Sequence, residues 1–316
     1  MAKAMALLAG LKEVNPAAYG GWNGQGGCWG CELDVDNVER ILKPLGYDIQ
    51  VLKTKQATGE AIINGLKNAA AKLAAGDIFV FYFSGHGGQQ PDTSGDERDG
   101  KDETLVAYDR QVIDDELNDV WLAIKPGVRV VMLSDSCNSG TNYKLFGRDY
   151  YPTPIEPVDA SRAKDMQAQL IHFGGCRDSS TSSGYLTGGA FTMALCNAWD
   201  NGAFEGSYAD FHKKICSLVK TGQKPQHNEY GPVSEEFKSQ KPFTTGPARP
   251  GSVTFTLEIA SGDLARVRKT IEEDAVACLL SALENASTPG GGAATGTCCA
   301  SSEGDWDCAA TATWKF

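Results

Sequence analysis

The chain has 316 residues, 41% of them hydrophobic and 22% charged, which is the composition of an ordinary globular protein. This length allows one large hydrophobic core and a small appendage. A formal net charge of -11 argues against nucleic acid as a partner, and the absence of an apolar stretch of about 18 residues argues against a membrane span.

The start of the sequence and its cysteines predict the compartment. The stretch MAKAMALLAGLKEVNP lacks the small-residue cleavage site of a secretory signal, so we expect a cytoplasmic protein. Ten cysteines are scattered along the chain, and in this setting we expect most of them to be reduced. Cys28 and Cys31 form a lone CxxC motif, which without a second pair or a nearby histidine is a weak indication of zinc.

Residues 1–243 alternate strand-like and helix-like segments. The first four are a strand at 4–11, a helix at 34–46 closed by Gly46, a strand at 47–53 and a helix at 58–76 closed by Gly76. Two continuously apolar runs, DIFVFYF at 77–83 and VRVVMLS at 128–134, are typical of central parallel strands covered on both faces. A strand at 168–176 and helices at 188–202 and 207–222 complete an order that predicts a mostly parallel sheet flanked by helices.

The character of the sequence changes after residue 243. Residues 244–250, TTGPARP, read as a linker. Residues 251–316 contain a strand-like segment, a long amphipathic helical segment and a glycine-rich loop, so we predict a small α+β appendage of unknown role.

Two reactive side chains follow the two apolar strands. His86 lies in SGHGG, which reads as a turn after the first strand, and Cys137 lies in SDSCNSG after the second. The carboxyl ends of neighbouring parallel strands meet at one edge of a sheet, so the thiol and the imidazole can act together as nucleophile and base. The alternative is a buried apolar cysteine and an ordinary histidine.

Five segments in order, YFSGHGGQ, DGKDETLVAYD, VIDDEL, SDSCNSGT and GCRDSSTS, resemble the caspase-like cysteine peptidases of family C14, and most closely the metacaspases and the prokaryotic orthocaspases. The resemblance covers residues 4–243 and implies the caspase-like (caspase-hemoglobinase) α/β fold. It implies a cysteine endopeptidase with Cys137 as nucleophile, His86 as general base and acid, and the backbone N–H groups of Gly87 and Cys137 as oxyanion donors. Asn138 departs from the family, in which His commonly follows the nucleophile.

The same resemblance implies the pocket for the residue before the scissile bond. Its lining maps onto Cys31, Asp34, Ser84 and Asp135. Two carboxylates in one pocket require a cation, so the resemblance implies protein or peptide substrates cleaved after Arg or Lys. In the alternative interpretation Asp34 caps a helix and Asp135 is a surface charge.

The acidic stretch between the two strands has two interpretations. In calcium-dependent metacaspases the matching residues bind Ca²⁺, which implies Asp102, Asp114 and Asp115 as ligands. A further family aspartate is Lys144 here, which weakens such a site. The alternative is a solvated hairpin loop followed by a helix that begins at Asp114. The thiol chemistry itself requires no cofactor, so Ca²⁺ is the one cofactor that the resemblance suggests.

Residues 141–167 read as a long exposed loop of the kind that proteases cut. The loop holds the basic residues Lys144, Arg148, Arg162 and Lys164, which are candidate sites of self-cleavage. In the opposing interpretation its three prolines keep the loop out of the cleft. Two rival functions remain at this point, a catalytically idle caspase-like scaffold and a thiol esterase that uses the same dyad, and the oligomeric state is not predicted.

Overall fold

The computed structural model describes residues 2–24, 28–92, 95, 100–137, 162–175, 188–219 and 224–245, with the backbone alone for Lys101 and Cys137. The chain divides into two units, Met1–Arg249 and Pro250–Phe316, and every described residue belongs to the first. The predicted appendage at 251–316 lies outside the described residues, as do residues 246–250 of the predicted linker.

Within the described residues, eight strands form one mixed sheet. The strands are β1 Ala4–Gly10, β2 Asp48–Lys53, β3 Ile78–Pro91, β4 Lys101–Val106, β5 Gln111–Ile113, β6 Arg129–Cys137, β7 Gln169–Gly174 and β8 Gln226–Tyr230. Their order is β2-β1-β3-β6-β7-β8, with β4 paired to β3 and β5 to β4. Strands β2, β1, β3, β6 and β7 run parallel, which confirms the predicted α/β architecture.

Helices cover both faces of the sheet. They are α1 Cys31–Leu42, α2 Gly59–Lys72, α3 Asp114–Ala123, α4 Ala190–Trp199, α5 Tyr208–Leu218 and α6 Glu235–Ser239. Alternate residues of β3 enter different cores: Phe81 packs with apolar residues of α2 and α3, whereas Tyr82 packs with those of α1, α4 and α5. Burial on both faces explains why the central strands are continuously apolar.

The predicted turn at SGHGG is wrong, because β3 continues through it to Pro91. The strand changes partner instead: His86 is the last residue paired with β6, and Gly87 is paired with Leu105 of β4. The glycines serve close packing here, since a Cβ at Gly85 would lie 2.9 Å from the Phe83 ring and one at Gly88 would collide with the side chain of Gln111.

Several helix boundaries also differ from the prediction, as α1 and α2 show. Helix α1 begins at Cys31, three residues before the predicted start, with Gly30 as its N-cap. Helix α2 ends at Lys72, before Gly76. None of the helices in the described ranges is long and apolar enough to cross a membrane.

Candidate active site

The register between β3 and β6 brings the predicted site residues together. Ser84 is the partner of Asp135, and two residues later His86 is the partner of Cys137. Side chains two residues apart on a strand point to the same face, and neighbouring strands are about 4.8 Å apart. The backbone therefore places the predicted dyad and two predicted pocket residues side by side on one face of the sheet.

The imidazole of His86 is buried and held by two contacts. Its Nε2 lies 2.8 Å from the carbonyl oxygen of Gly24, and its ring packs edge-on against Trp22 with centroids 5.0 Å apart. A carbonyl oxygen only accepts hydrogen bonds, so Nε2 carries the hydrogen and Nδ1 carries the lone pair of the neutral ring. This tautomer makes Nδ1 the basic atom, and the Gly24 carbonyl would stabilise the protonated ring.

The two pocket carboxylates, Asp34 and Asp135, are both fully buried. Asp34 lies in the first turn of α1, where its Oδ2 accepts a 2.9 Å hydrogen bond from the Ser84 hydroxyl. Gly10 allows this arrangement, because a Cβ at the end of β1 would collide with the carbonyl oxygen of Cys31. The close approach of α1 to β1 thus brings Asp34 to Ser84.

The N-terminus of α4 binds both pocket carboxylates. The N–H of Gly189, the N-cap, donates to Asp34 Oδ1 at 2.8 Å. Both the N–H and the hydroxyl of Thr192 donate to Asp135 Oδ2, at 3.1 and 2.7 Å. The first N–H groups of a helix have no partner inside the helix, and α4 has no side-chain cap of its own, so carboxylates from α1 and β6 cap it.

Comparison with known families identifies the fold. The family model described as Caspase domain, Peptidase_C14, matches residues 6–244. The chain belongs to the caspase domain family. The match confirms the resemblance that the sequence motifs predicted.

Individual relatives agree with this assignment. Metacaspase-1 of Yarrowia lipolytica is 39% identical over an alignment of 277 residues, and the match covers 66% of this chain and 59% of that protein. Metacaspase-3 of Arabidopsis thaliana is 30% identical over an alignment of 222 residues, and the match covers 61% of each chain. A crystal structure of a Geobacter sulfurreducens protein has a TM-score of 0.65 at 35% identity and covers 77% of this chain and 99% of that one. The chain thus spans about three-fifths of the length of these two metacaspases.

The alternative interpretations of the caspase domain's pocket residues do not fit the structure. Asp34 is not the N-cap of its own helix, because its N–H donates to the carbonyl of Gly30 inside the first turn of α1. Asp135 is not a surface charge, because its side chain is fully buried. Cys31 is also buried, in contact with Cys28, and neither cysteine is in a disulfide.

The predicted calcium ligands, here called the outer carboxylates, are Asp102, Asp114 and Asp115. Asp102 and Asp114 are buried, and Asp114 Oδ1 accepts from the N–H of Asp115 at 3.1 Å. Across the described ranges, no three His, Cys, Asp or Glu side chains are grouped so that they could hold a metal ion. The calcium site stays a prediction, because residues 93–94 and 96–99 of the acidic stretch lie outside the described residues.

Two of the four candidate self-cleavage residues are described. The guanidinium of Arg162 binds Asp115 at 3.0 Å and Asp119 at 2.6 Å, while Lys164 is exposed in a short 3-10 helix, Ala163–Asp165. Lys144 and Arg148 lie outside the described residues. The ion pairs hold the side chain of Arg162 on helix α3.

Sequence reasoning missed the residues that orient the site. Gly24 is 62 residues from His86, Thr192 is 57 from Asp135, and Gly189 is 155 from Asp34. Gly24 and Gly189 act through backbone groups, which have no side-chain signature. The glycine at position 188 was a weak signal, because its φ is +109° and a Cβ there would lie 2.5 Å from Asp34 Oδ1, and both facts require glycine.

Proposed function

We propose that this caspase domain is a cysteine endopeptidase that hydrolyses peptide bonds after Arg or Lys. The observation that carries the proposal is the register of β3 and β6, in which the pair Ser84 and Asp135 lies directly beside the pair His86 and Cys137. A nucleophile, its base and a buried carboxylate that recognises a cation thus share one sheet edge.

The proposed reaction uses each group in turn. Nδ1 of His86 takes the thiol proton of Cys137, and the thiolate attacks the carbonyl carbon of the substrate. The N–H groups of Gly87 and Cys137 stabilise the oxyanion. The protonated imidazole then gives its proton to the leaving amine, and water hydrolyses the acyl-enzyme with His86 again as base.

The pocket residues support the choice of a basic substrate side chain. Asp34 and Asp135 converge on the N-terminus of α4, where hydroxyl and backbone N–H groups, which are neutral donors, bind them. Neutral donors fix a carboxylate in place without cancelling its charge. A guanidinium or ammonium group entering the pocket would form charge-assisted hydrogen bonds with them.

The test combines a thiol probe with matched substrates. Native protein is treated with a chloromethyl ketone peptide ending in Arg, and is assayed on peptide amides and on esters with Arg, Lys or Asp before the scissile bond. We expect labelling at Cys137 and amide hydrolysis after Arg and Lys, with a loss of at least about 10³-fold in Cys137→Ala and His86→Ala.

Cys216→Ala is the matched control, because it removes an exposed cysteine outside the site. It should leave hydrolysis unchanged. Ester hydrolysis without amide hydrolysis would identify a thiol esterase. A protein that is neither labelled nor active would be an idle scaffold.

Self-cleavage is a second part of the proposal. Of the two described candidates, Lys164 is the better substrate, because its side chain is exposed while that of Arg162 is held in two ion pairs. Intact-mass analysis of native protein beside Cys137→Ala identifies the fragments. Fragments that appear in both samples would mean that another protease made them.

A further inference from the structure

The hydroxyl group of Thr192 lies between two buried groups on the strands beneath α4. Its Oγ1 is 2.7 Å from Oδ2 of Asp135 and 2.7 Å from the phenol oxygen of Tyr82. All three side chains are fully buried. Tyr82 lies on β3 two residues before Ser84, so the chain of hydrogen bonds runs along the floor of the pocket.

The direction of each hydrogen bond follows from the chemistry of the three groups. An ionised carboxylate only accepts, so the Thr192 hydroxyl donates to Asp135. That hydroxyl has a single hydrogen, so its oxygen must accept from Tyr82, and the phenol donates. The order of donation is therefore Tyr82 to Thr192 to Asp135.

The phenol stays protonated under the conditions of any activity assay. Burial raises the pKa of Tyr82 well above its ordinary value, and the nearby carboxylates of Asp34 and Asp135 raise it further. A group that cannot ionise in the working range is a constant donor. The hydroxyl of Thr192 is thereby held in one orientation.

We propose that Thr192 is a positioning residue that determines specificity: with Tyr82 behind it, it orients the Asp135 carboxylate toward the basic side chain of the substrate. This inference rests on the proposed cleavage after Arg or Lys. One residue supplies two donors to one carboxylate oxygen, the N–H from the rigid helix backbone and the hydroxyl from the side chain. Two donors prevent the carboxylate from pivoting, whereas one donor does not.

Thr192→Val is the decisive variant, because valine has the shape of threonine without its hydroxyl and leaves the backbone N–H in place. Kinetics are measured on peptide amides with Arg, Lys or citrulline before the scissile bond; citrulline is a neutral isostere of Arg. We expect kcat/KM on Arg and Lys to fall about 10- to 100-fold, mainly through KM, because the ion pair forms in the ground state and the transition state alike. The slow reaction of the citrulline peptide should change less than about threefold.

Conservative and matched variants separate positioning from packing. Thr192→Ser keeps the hydroxyl, so its kcat/KM on Arg peptides should be within about threefold of the native value. Thr58→Val removes the hydroxyl of another threonine at a helix start, where it accepts from the N–H of Ala61, and should lower the melting temperature without changing the ratio of Arg to citrulline kinetics.

The outcomes distinguish the inference from the proposed function. If native protein shows no preference for Arg over citrulline, the proposed specificity is wrong. If native protein shows the preference and Thr192→Val keeps it unchanged, the positioning role alone is overturned.

A second variant covers the case in which Thr192→Val does not fold. Tyr82→Phe removes the distal donor and should lower the Arg to citrulline ratio about 2- to 10-fold. Tyr208→Phe, which removes a buried phenol bound to the N–H of Phe243 instead, is its matched control. Equal ratios in these two variants and in native protein would overturn the inference.

Discussion

Two groups of acidic residues in the described structure, the buried pocket carboxylates and the outer carboxylates, differ in the groups that bind them. The pocket carboxylates Asp34 and Asp135 accept hydrogen bonds from hydroxyl and N–H groups, which are neutral. Among the outer carboxylates, Asp115 forms an ion pair with Arg162, a cation of the same chain. The sequence presents both groups alike, as aspartates near the ends of strands and the starts of helices.

The difference indicates which group is built to bind a charged ligand. A neutral donor orients a carboxylate but leaves its negative charge in place, so an incoming cation gains the full charge-assisted interaction. An arginine partner has already neutralised the charge, and a ligand must displace it. We therefore expect the pocket carboxylates to bind the basic side chain of a substrate, and the ion pair of Asp115 with Arg162 to have a structural role.

The largest expected effect is on the pocket. Asp135→Asn keeps the shape of the side chain and removes its charge, so we expect kcat/KM on Arg and Lys peptides to fall about 100-fold or more, with less than about threefold change on a citrulline peptide. Steady-state kinetics on the three peptides measure this.

The matched control is Asp114→Asn, which neutralises an outer carboxylate that is also buried. It should leave the Arg to citrulline ratio of the native protein unchanged. An equal loss of Arg preference in both variants would remove the distinction between the two groups.

The next prediction concerns the loss of folding stability at low pH, which limits the pH range in which variants of the two groups can be compared. His172 on β7 is fully buried, its Nε2 lies 2.9 Å from the Ser134 hydroxyl, and burial, with a smaller contribution from His227, lowers its pKa to about 3. Because its pKa is higher in the unfolded chain, about 6.5, the unfolded chain binds more protons below that value. The contribution of His172 to stability is present above pH 6.5 and is lost as the pH falls toward 3.

Between pH 7 and pH 5 this loss should be about 2 kcal/mol. Urea unfolding of native protein and of His172→Gln, which keeps a polar partner for Ser134, measures it. The variant should lose less stability than native protein over this range. Equal losses in the two proteins would mean that His172 does not control the acid sensitivity.

A smaller effect is expected at Arg162, which forms ion pairs with Asp115 of the outer carboxylates and with Asp119. Exposed ion pairs contribute at most about 1 kcal/mol, so Asp119→Asn should raise cleavage after Arg162 no more than about fivefold. The variant is made in the Cys137→Ala chain and incubated with a small amount of native enzyme, and fragment masses are compared with those from Cys137→Ala alone.

Cleavage after Lys164 serves as the internal reference, because its side chain is already exposed. An unchanged ratio of the two cuts would show that the ion pairs do not protect Arg162.

The sequence predicted the parts of this fold that depend on apolar pattern and missed those that depend on backbone groups. The continuously apolar runs identified β3 and β6 because both faces of those strands are buried. The glycines around His86 predicted a turn, yet they serve a strand that changes partner. Glycine allows both outcomes, and only the position of β4 decides between them.

The candidate site shows the same contrast between side chains and backbone groups. Side chains with distinctive chemistry, such as His86 and Cys137, were predicted from their motifs. The orienting groups were not, because the carbonyl of Gly24 and the N–H of Gly189 exist at almost every position in any chain. Their importance depends on which distant residue the fold brings to them.

The smallest expected effect comes from removing the second unit. Both acidic groups lie in the first unit, before residue 249. A chain that ends after Thr245 should therefore keep kcat/KM on Arg peptides within about twofold of the native value. The truncated chain must include Phe243, whose ring packs against Trp199 and Phe211 and whose carbonyl accepts a 2.9 Å hydrogen bond from Tyr47. It must also include Thr245, whose carbonyl accepts a hydrogen bond from Arg129. A chain ending at residue 242 loses a buried aromatic side chain, which costs about 3 kcal/mol or more. If both truncated chains are folded but inactive on Arg peptides, residues after 245 contribute to the pocket, and the comparison of the two acidic groups has to include them.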